Sequence, residues 1–260
     1  MPVESVSSVD WSIAMLLGLF CVAALAGWVD TLAGGGGLLT LPALILVGIP
    51  PVSALATNKS QSFAGTLTAT LALLWRKQLN LREFWPLLLA AGVGAGIGAV
   101  IVQNVATDWL RWFVPVLLLG VALYFLLSPA LGVLETHARL TQPWYGSTVI
   151  PAIGLYDGAI GPGTGSFFAA SGVVFRGHTL RTATVRAKPL NFTTNVVALV
   201  LFSAGGQVVW AIGAAMIAGQ VLGAYTASHM MLTIPLRYIR RMVITMCILM
   251  SLAQLYRLLF

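Results

Sequence analysis

Apolar residues fall into ten runs separated by short polar or charged stretches. Five runs are about as long as the 20 residues that a membrane-spanning helix needs; they cover 11–29, 85–105, 110–128, 208–227 and 240–259. Five shorter runs cover 38–50, 60–75, 147–160, 166–175 and 190–204. A helix that is broken inside a protein can cross the membrane with fewer apolar residues, and a short run can also form a re-entrant hairpin. The pattern therefore predicts an all-α integral membrane protein with eight to ten transmembrane segments, some of them short or broken.

The composition supports this class and excludes a soluble domain. Of 260 residues, 58% are hydrophobic and 8% are charged, and the mean hydropathy is +0.93. Soluble domains carry about a quarter charged residues. The net charge of +7 does not indicate nucleic acid as a partner. The basic residues lie in short loops between apolar runs, and in membrane proteins such residues are concentrated in the cytoplasmic loops.

The sequence contains no motif that indicates a metal site, a cofactor site or an enzyme active site. Cys21 and Cys247 lie inside apolar runs without metal-ligand spacing. The histidines lie in loops or at segment ends, and Ser166 has no histidine near it in sequence. We expect no metal, no cofactor and no catalytic residue. The acidic Glu4 and Asp10 before the first run indicate a retained span rather than a removable signal peptide.

The two halves of the chain resemble each other. Asp30 and Asp157 lie within similar sequences at a spacing of 127, and several later residues recur at a spacing of 129. The matched pairs are Gly34/Gly161 and Gly36/Gly163 at 127, then Gly48/Gly177, Ala54/Ala183, Lys59/Lys188, Phe63/Phe192 and Gln78/Gln207 at 129. We interpret residues 1–128 and 147–260 as two transmembrane repeats, joined by a cytoplasmic connector at 129–146.

Loop charges predict that the second repeat is inverted. If the loop at 76–82 is cytoplasmic, then the connector and the basic loops at 176–181 and 237–241 fall on the same side. The acidic N-terminus, the turn at 49–52, the Asp108 loop and the turn at 204–206 fall on the opposite side. Five segments per repeat reverse the orientation of the second repeat, and inverted repeats are typical of alternating-access transporters. We expect a multi-pass protein of a bacterial inner membrane.

Four ionisable residues lie at membrane depth: Asp30, Lys59, Asp157 and Lys188. Each costs about 2.5–3.5 kcal/mol at a helix centre on insertion scales, so such residues usually serve a function. The alternative is an Asp–Lys ion pair that only holds broken helices together, or a Lys59 side chain that extends to the membrane surface. Their repetition in both halves favours a shared central site.

Glycine runs follow both aspartates, at 34–37 and 161–165. Such runs break helices and free backbone N–H groups, which form an anion site with the positive end of the next half-helix. We predict substrate contacts from Gly35, Gly36, Gly163 and Thr164. The alternative is close helix packing, which suffices for the later glycines at 92–98. The run is not a nucleotide phosphate loop, because no Gly-Lys-Ser/Thr ending follows it.

Amide side chains accompany each lysine. Asn58 precedes Lys59, while Asn191 and Asn195 share one face of a helix that we expect to begin at Pro189. Amides beside a cation bind small oxyanions through charge-assisted hydrogen bonds. The alternative for Asn195 is hydrogen bonding between helices without a substrate.

These motifs resemble those of the sulfite exporter TauE/SafE family. The first-half motifs are GGGGLLTLP at 34–42, GIPP at 48–51 and ALATNK at 54–59; the second-half motifs are YDG at 156–158, GPGTGSF at 161–167 and AKPLNF at 187–192, with Asn195. The resemblance implies a polytopic inner-membrane carrier that moves sulfite or small organosulfur anions such as sulfonates, often outward. One departure is Arg186-Ala187, which stands where the first half has Thr57-Asn58.

Together these features predict a secondary transporter that exports a small sulfur-containing anion by alternating access. Lys59 and Lys188 supply positive charge, while Asp30 and Asp157 orient the lysines or take up a proton. A cytoplasm negative by 100 mV drives each anionic charge outward by about 2.3 kcal/mol, which favours export without a coupling ion. An anion channel and a proton-coupled importer are the alternatives. The partners expected are the anion, membrane lipid and protons; the oligomeric state is left open.

Overall fold

The computed structural model describes residues 12–105 and 135–230 continuously, together with scattered positions in 106–134 and 231–256. The described residues form helices and no strand. The fold is therefore all-α, as the sequence predicts. Most of the predicted segments 110–128 and 240–259 lie outside the described residues, as do the Asp108 loop, Glu4, Asp10 and Cys247.

Eight helices of ten or more residues occupy the described part of the chain. They are α1 (Ile13–Ala33), α2 (Gly37–Leu46), α3 (Pro51–Trp75), α4 (Trp85–Asn104), α5 (Ile150–Ala159), α6 (Thr164–Arg176), α7 (Leu180–Ala204) and α8 (Trp210–Met230). A short 3₁₀ helix precedes α4 at Leu81–Glu83, and a helical turn at Gln142–Trp144 with a π-helical turn at Tyr145–Val149 leads into α5.

Three of these helices, α1, α4 and α8, are long and apolar enough to cross a membrane. They expose apolar side chains; α4 exposes Leu89, Val93 and Ile97 on one face. A helix that is apolar all round is typical of a membrane environment. The exposed face of α4 therefore suits contact with lipid.

Local sequence explains the helix ends. The Ser12 side chain accepts a hydrogen bond from the Met15 N–H at the start of α1. Gly34, with φ of 79°, ends the same helix in the left-handed region that glycine adopts easily. Pro51 is the first residue of α3, where its missing N–H costs no helical hydrogen bond. The Thr179 side chain caps α7 by accepting from the Thr182 N–H.

The expectation that a helix begins at Pro189 is wrong. Pro189 lies inside α7, which begins well before it at Leu180. Proline is tolerated within helices that are surrounded by other helices, because neighbouring groups satisfy the backbone. Asn191 and Asn195 still share one face of the helix, and the Asn195 amide donates to the Asn191 carbonyl oxygen over 2.7 Å.

Small residues allow two helix pairs to pack closely: α1 lies along α8, and α4 lies along α5. A Cβ atom at Gly94 or Gly98 of α4 would overlap carbonyl oxygens of α5, and one at Gly223 of α8 would overlap the Ala24 carbonyl oxygen of α1. The packing interpretation of the later glycines is confirmed at these two α4 positions. Between the pairs, α3 and α7 contact each other.

Candidate functional site

Two breaks between helices meet in the interior. One lies between α1 and α2 at 34–36, and the other lies between α5 and α6 at 160–163. The Ser166 N–H donates to the Gly34 carbonyl oxygen over 3.2 Å, and the Ser166 hydroxyl donates to the Ala33 carbonyl oxygen over 2.6 Å. A Cβ at Gly165 would lie 2.6 Å from the Gly34 Cα atom. Glycine at these positions therefore permits direct backbone contact between the two breaks.

One lysine forms a buried ion pair beside the breaks. The Lys59 Nζ lies 2.7 Å from the Asp157 Oδ1, and the two side chains are 1% and 2% exposed. The Thr164 hydroxyl donates to the same Asp157 oxygen over 2.7 Å. The other carboxylate oxygen of Asp157 is buried and has no hydrogen-bond partner among the described residues.

The second lysine is held differently. Lys188 is also buried, and its ammonium donates to the backbone carbonyl oxygen of Asp30 rather than to the carboxylate. The Asp30 Oδ1 accepts from the Gly36 N–H over 3.2 Å, while the Asp30 Oδ2 is buried without a partner among the described residues. Each lysine thus contacts the aspartate of the other half of the chain, but within the described part of the chain Lys59 alone forms an ion pair.

Two asparagines offer N–H donors that have no acceptor in the described part of the chain. The Asn58 Oδ1 accepts from the Thr40 hydroxyl over 2.5 Å and from the Gln61 Nε2 over 2.8 Å. The Asn191 Oδ1 accepts from the Asn195 Nδ2 over 3.2 Å. Within the described residues, neither the Asn58 Nδ2 nor the Asn191 Nδ2 donates to a protein acceptor. The occupied oxygens leave the amide N–H groups for an external acceptor.

A cavity of about 10 Å³ lies between these groups, which is roughly the space of one water molecule. The sequence-predicted residues that line it are Asp30, Asn58, Lys59, Asp157, Gly163, Thr164, Asn191 and Asn195. Gly35, Gly36 and Lys188 are not among the lining residues. The Gly36 N–H is taken by Asp30, and Lys188 lies behind the Asp30 backbone.

Sequence reasoning missed four residues that line this cavity: Gly34, Gly37, Ser62 and Gly161. The three glycines belong to the runs that drew attention to their neighbours. Ser62 corresponds to Asn191 at the later of the two repeat spacings, so the repeat carried a signal for it.

A second polar cluster lies where α6 joins α7. The Arg186 Nη1 lies 2.7 Å from the His178 Nε2, and the guanidinium carbon lies 5.2 Å from the centre of the Phe84 ring. Burial lowers the pKa of His178, and Arg186 and Arg176 lower it further, against an opposing effect of Glu135. The neutral imidazole accepts the Arg186 hydrogen bond. Sequence reasoning did not predict this pair.

The chemistry of the central site suits an anion. Two buried ammonium groups and two amide groups are hydrogen-bond donors. Within the described ranges, one of these ammonium groups is paired with a carboxylate and the two amides have no acceptor. Among the described residues, no group of three or more His, Cys, Asp and Glu side chains is placed to hold a metal ion.

The fold and the site define the class: an all-helical membrane protein whose charged residues meet in the interior, as they do along transport pathways. The family model described as Sulfite exporter TauE/SafE matches residues 19–253. The chain belongs to the TauE/SafE family, and it is a membrane transporter.

Relatives of similar length are also described as membrane transporters. A probable membrane transporter protein of Haemophilus influenzae is 40% identical over 95% of this chain and 97% of its own length. The probable membrane transporter protein YfcA of Escherichia coli K12 is 41% identical over 97% of this chain and 94% of its own. The probable membrane transporter protein ORF9 of a Sinorhizobium species is 42% identical over 85% and 84%. No solved structure matches the chain.

Proposed function

We propose that this transporter carries a small sulfur-containing oxyanion, such as sulfite or a sulfonate, out across a bacterial inner membrane by alternating access. The observation that carries the proposal is the set of donors around the central cavity. Lys59 and the free N–H groups of Asn58 and Asn191 line this cavity, and Lys188 adds a second positive charge behind the Asp30 backbone; together they supply the charge and the hydrogen bonds that an oxyanion needs. The family description supports sulfite as the first anion to test.

An inverted repeat is part of the proposal, and the helix packing supports it. The first helix of each half pairs with the last described helix of the other, α1 with α8 and α5 with α4. Phe63 and Phe192, which the repeat matches, stack with ring centres 5.7 Å from each other, as residues beside a twofold axis do. The pairing of the first helix of each half with the last described helix of the other half is what a symmetric duplication produces.

Backbone conformation supports the same repeat. The chain takes positive φ at Gly34 and at Gly161, at Gly48 and at Gly177, and both pairs match at the spacings found in the sequence. The helices α3 and α7 each have 25 residues, and their first residues, Pro51 and Leu180, are also matched by the repeat. We retain the repeat boundaries at 1–128 and 147–260, with the connector between them.

The small cavity implies that substrate must separate charges to bind. With both aspartates and both lysines ionised, the site has no net charge. Protonation of Asp157 would release Lys59 and leave the site at +1, which strengthens anion binding. Asp30 and Asp157 therefore orient the lysines and provide a route for proton coupling.

Alternative functions are less well supported. A channel needs a continuous path, whereas the described cavity has room for about one water. An enzyme needs a nucleophile and a base, but the Ser166 hydroxyl is bonded to the Ala33 carbonyl oxygen. A proton-coupled importer would use the same site against the membrane potential, so its test is the pH dependence of uptake.

Exchange of labelled sulfite in liposomes tests the proposal. Wild-type protein should show saturable counterflow, and Lys59→Ala or Lys188→Ala should reduce it at least tenfold. Arg139→Ala removes an exposed cation of the connector and serves as the matched control. If folded wild-type protein exchanges neither sulfite, a sulfonate nor thiosulfate, the proposed substrate class is wrong.

Proton coupling has a separate test. Affinity for a sulfonate, whose own charge does not change near neutral pH, should depend on pH, and Asp30→Asn with Asp157→Asn should remove that dependence. If the two substitutions leave it unchanged, the aspartates do not take up the coupling proton.

A further inference from the structure

A second, larger cavity lies outside the buried site. It has a volume of about 570 Å³ and lies between the end of α3, the loop that follows it and the first turns of α7. Lys77, Arg181 and Arg186 line it together with the polar Gln78 and Thr182. Of the described residues that line this cavity, three are cations and none is an anion. The cavity is a basic one, large enough to admit a hydrated oxyanion.

The repeat places a counterpart of this cavity in the other half of the chain, and there the space is closed. Thr182 and Arg186 correspond to Ser53 and Thr57 at the spacing of 129. Ser53 is 3% exposed and Thr57 is fully buried. The Val209 N–H donates to the Thr57 hydroxyl oxygen over 3.0 Å and joins the start of α3 to the start of α8.

Residue size explains why one place is open and the other closed. Phe84 and Arg186 stand at the open cavity, with the guanidinium 5.2 Å from the ring centre. Gly213 takes the place of Phe84 in the other half, and a Cβ there would lie 2.9 Å from the Ser60 hydroxyl oxygen. A glycine opposite a threonine allows the two helices to meet, whereas a phenylalanine and an arginine hold them apart.

We propose that the basic cavity is the vestibule through which a small oxyanion reaches the central site from one side of the membrane, and that the Thr57–Val209 contact is the closed entrance from the other side. The proposal rests on the proposed function for the class of ligand. Arg186 is the anion-binding residue of the vestibule. Arg181 and Val185, which also line it, lie seven and three residues before the buried Lys188 and therefore on the same face of α7. The anion thus passes from an accessible cation to a buried one along the same helix.

Thiol labelling in lipid nanodiscs, which expose both faces of the protein, tests the two entrances. In a background with Cys21→Ala and Cys247→Ala, Thr182→Cys reports on the vestibule and Ser53→Cys reports on its closed counterpart. A sulfonate-bearing methanethiosulfonate should modify the Thr182→Cys variant at least tenfold faster than the Ser53→Cys variant. Equal rates at the two positions would overturn the assignment of open and closed entrances.

The charge of the reagent tests the anion preference. At Thr182→Cys, the sulfonate reagent should react faster than a trimethylammonium reagent of the same size. A unit charge about 7 Å away, screened by salt, changes such a ratio about threefold. Arg186→Gln should therefore lower the ratio about threefold, while Arg186→Lys should preserve it. A ratio that is unaffected by Arg186→Gln would refute the role of this residue.

Two further outcomes separate this inference from related ones. If labelling behaves as expected but sulfite exchange is absent, the vestibule stands and sulfite is the wrong substrate. If the preference for the sulfonate reagent disappears only in nanodiscs of anionic lipid, the cavity holds a lipid headgroup, and the vestibule assignment is wrong.

Discussion

Replacing Asp157 with asparagine removes the counter-ion of a lysine that is 1% exposed. Breaking a buried ion pair by removing one partner costs about 3–5 kcal/mol, because an uncompensated charge stays in the interior. The asparagine oxygen can still accept from Lys59 and from the Thr164 hydroxyl, so the lower end of this range applies. We expect a loss of about 3 kcal/mol in the free energy of unfolding.

Asp30→Asn is the matched control, because Asp30 occupies the corresponding position of the other half. Among the residues that the structure describes, its carboxylate accepts one hydrogen bond, from the Gly36 N–H, and no lysine pairs with it. An asparagine oxygen preserves that bond. The bond loses only the strength that the negative charge gives it, so the expected loss is about 1 kcal/mol, the difference between a hydrogen bond to a charged group and one to a neutral group.

Thermal unfolding of purified protein in detergent, followed by tryptophan fluorescence, measures both losses. For chains near this size, 1 kcal/mol shifts the midpoint by roughly 2–4 °C. Asp157→Asn should therefore lower the midpoint by about 6–12 °C, and Asp30→Asn by about 2–4 °C. In the double variant Lys59→Met with Asp157→Asn, the loss should be smaller than the sum of the single losses by at least about 2 kcal/mol.

Two results would refute this reasoning. If Asp30→Asn lowers the midpoint as much as Asp157→Asn does, the ion pair of Asp157 with Lys59 adds nothing to the free energy of unfolding. If the Lys59 and Asp157 losses simply add, the two side chains do not interact in the folded protein.

Three other predictions concern packing, the anion and pH. Gly98→Ala would force a Cβ against the Leu155 carbonyl oxygen and should cost about 1–3 kcal/mol of stability. The control Gly18→Ala places its Cβ in open space and should be neutral or slightly stabilising in the same unfolding assay. Equal losses would contradict the packing argument. Asn191→Asp replaces a free donor with a negative charge and should raise the sulfite KM in counterflow at least tenfold, so an unchanged KM would exclude this residue from the site. Because the pKa of His178 is lowered in the folded protein, the unfolded chain takes up a proton at a higher pH than the folded one, and stability should fall as the pH drops below about 6.5. His178→Gln should flatten this dependence. An identical slope in the variant would show that another group causes it.

The long apolar helices could be predicted from the sequence because lipid imposes a simple rule. The runs at 85–105 and 208–227 correspond closely to α4 (Trp85–Asn104) and α8 (Trp210–Met230). The runs at 60–75 and 190–204 captured only the later parts of α3 and α7. Their first turns are rich in polar residues, which a hydropathy pattern counts as loop but which buried hydrogen bonds retain in a helix.

The central residues could be predicted for a related reason. A charge at membrane depth is costly, so Lys59 and Asp157 were prominent in an apolar chain. Their pairing across the two halves could not be predicted, because it depends on how the helix breaks meet in space. The Arg186–His178 contact also went unpredicted, since a loop histidine and a helix arginine carry no common sequence signal.

The unequal state of the two lysines connects the central site with the vestibule. Lys59 is held by a carboxylate at 2.7 Å, so an anion that binds it must first displace Asp157. Lys188 is held by a backbone carbonyl oxygen, which carries only a partial charge, so an anion that reaches Lys188 displaces no carboxylate. Lys188 also lies on the face of α7 that carries Arg181 and Val185, two residues that line the basic cavity. In the proposed transport cycle, an anion from the vestibule therefore meets Lys188 first, and its charge then favours separation of Lys59 from Asp157, because the carboxylate and the anion compete for the same ammonium group.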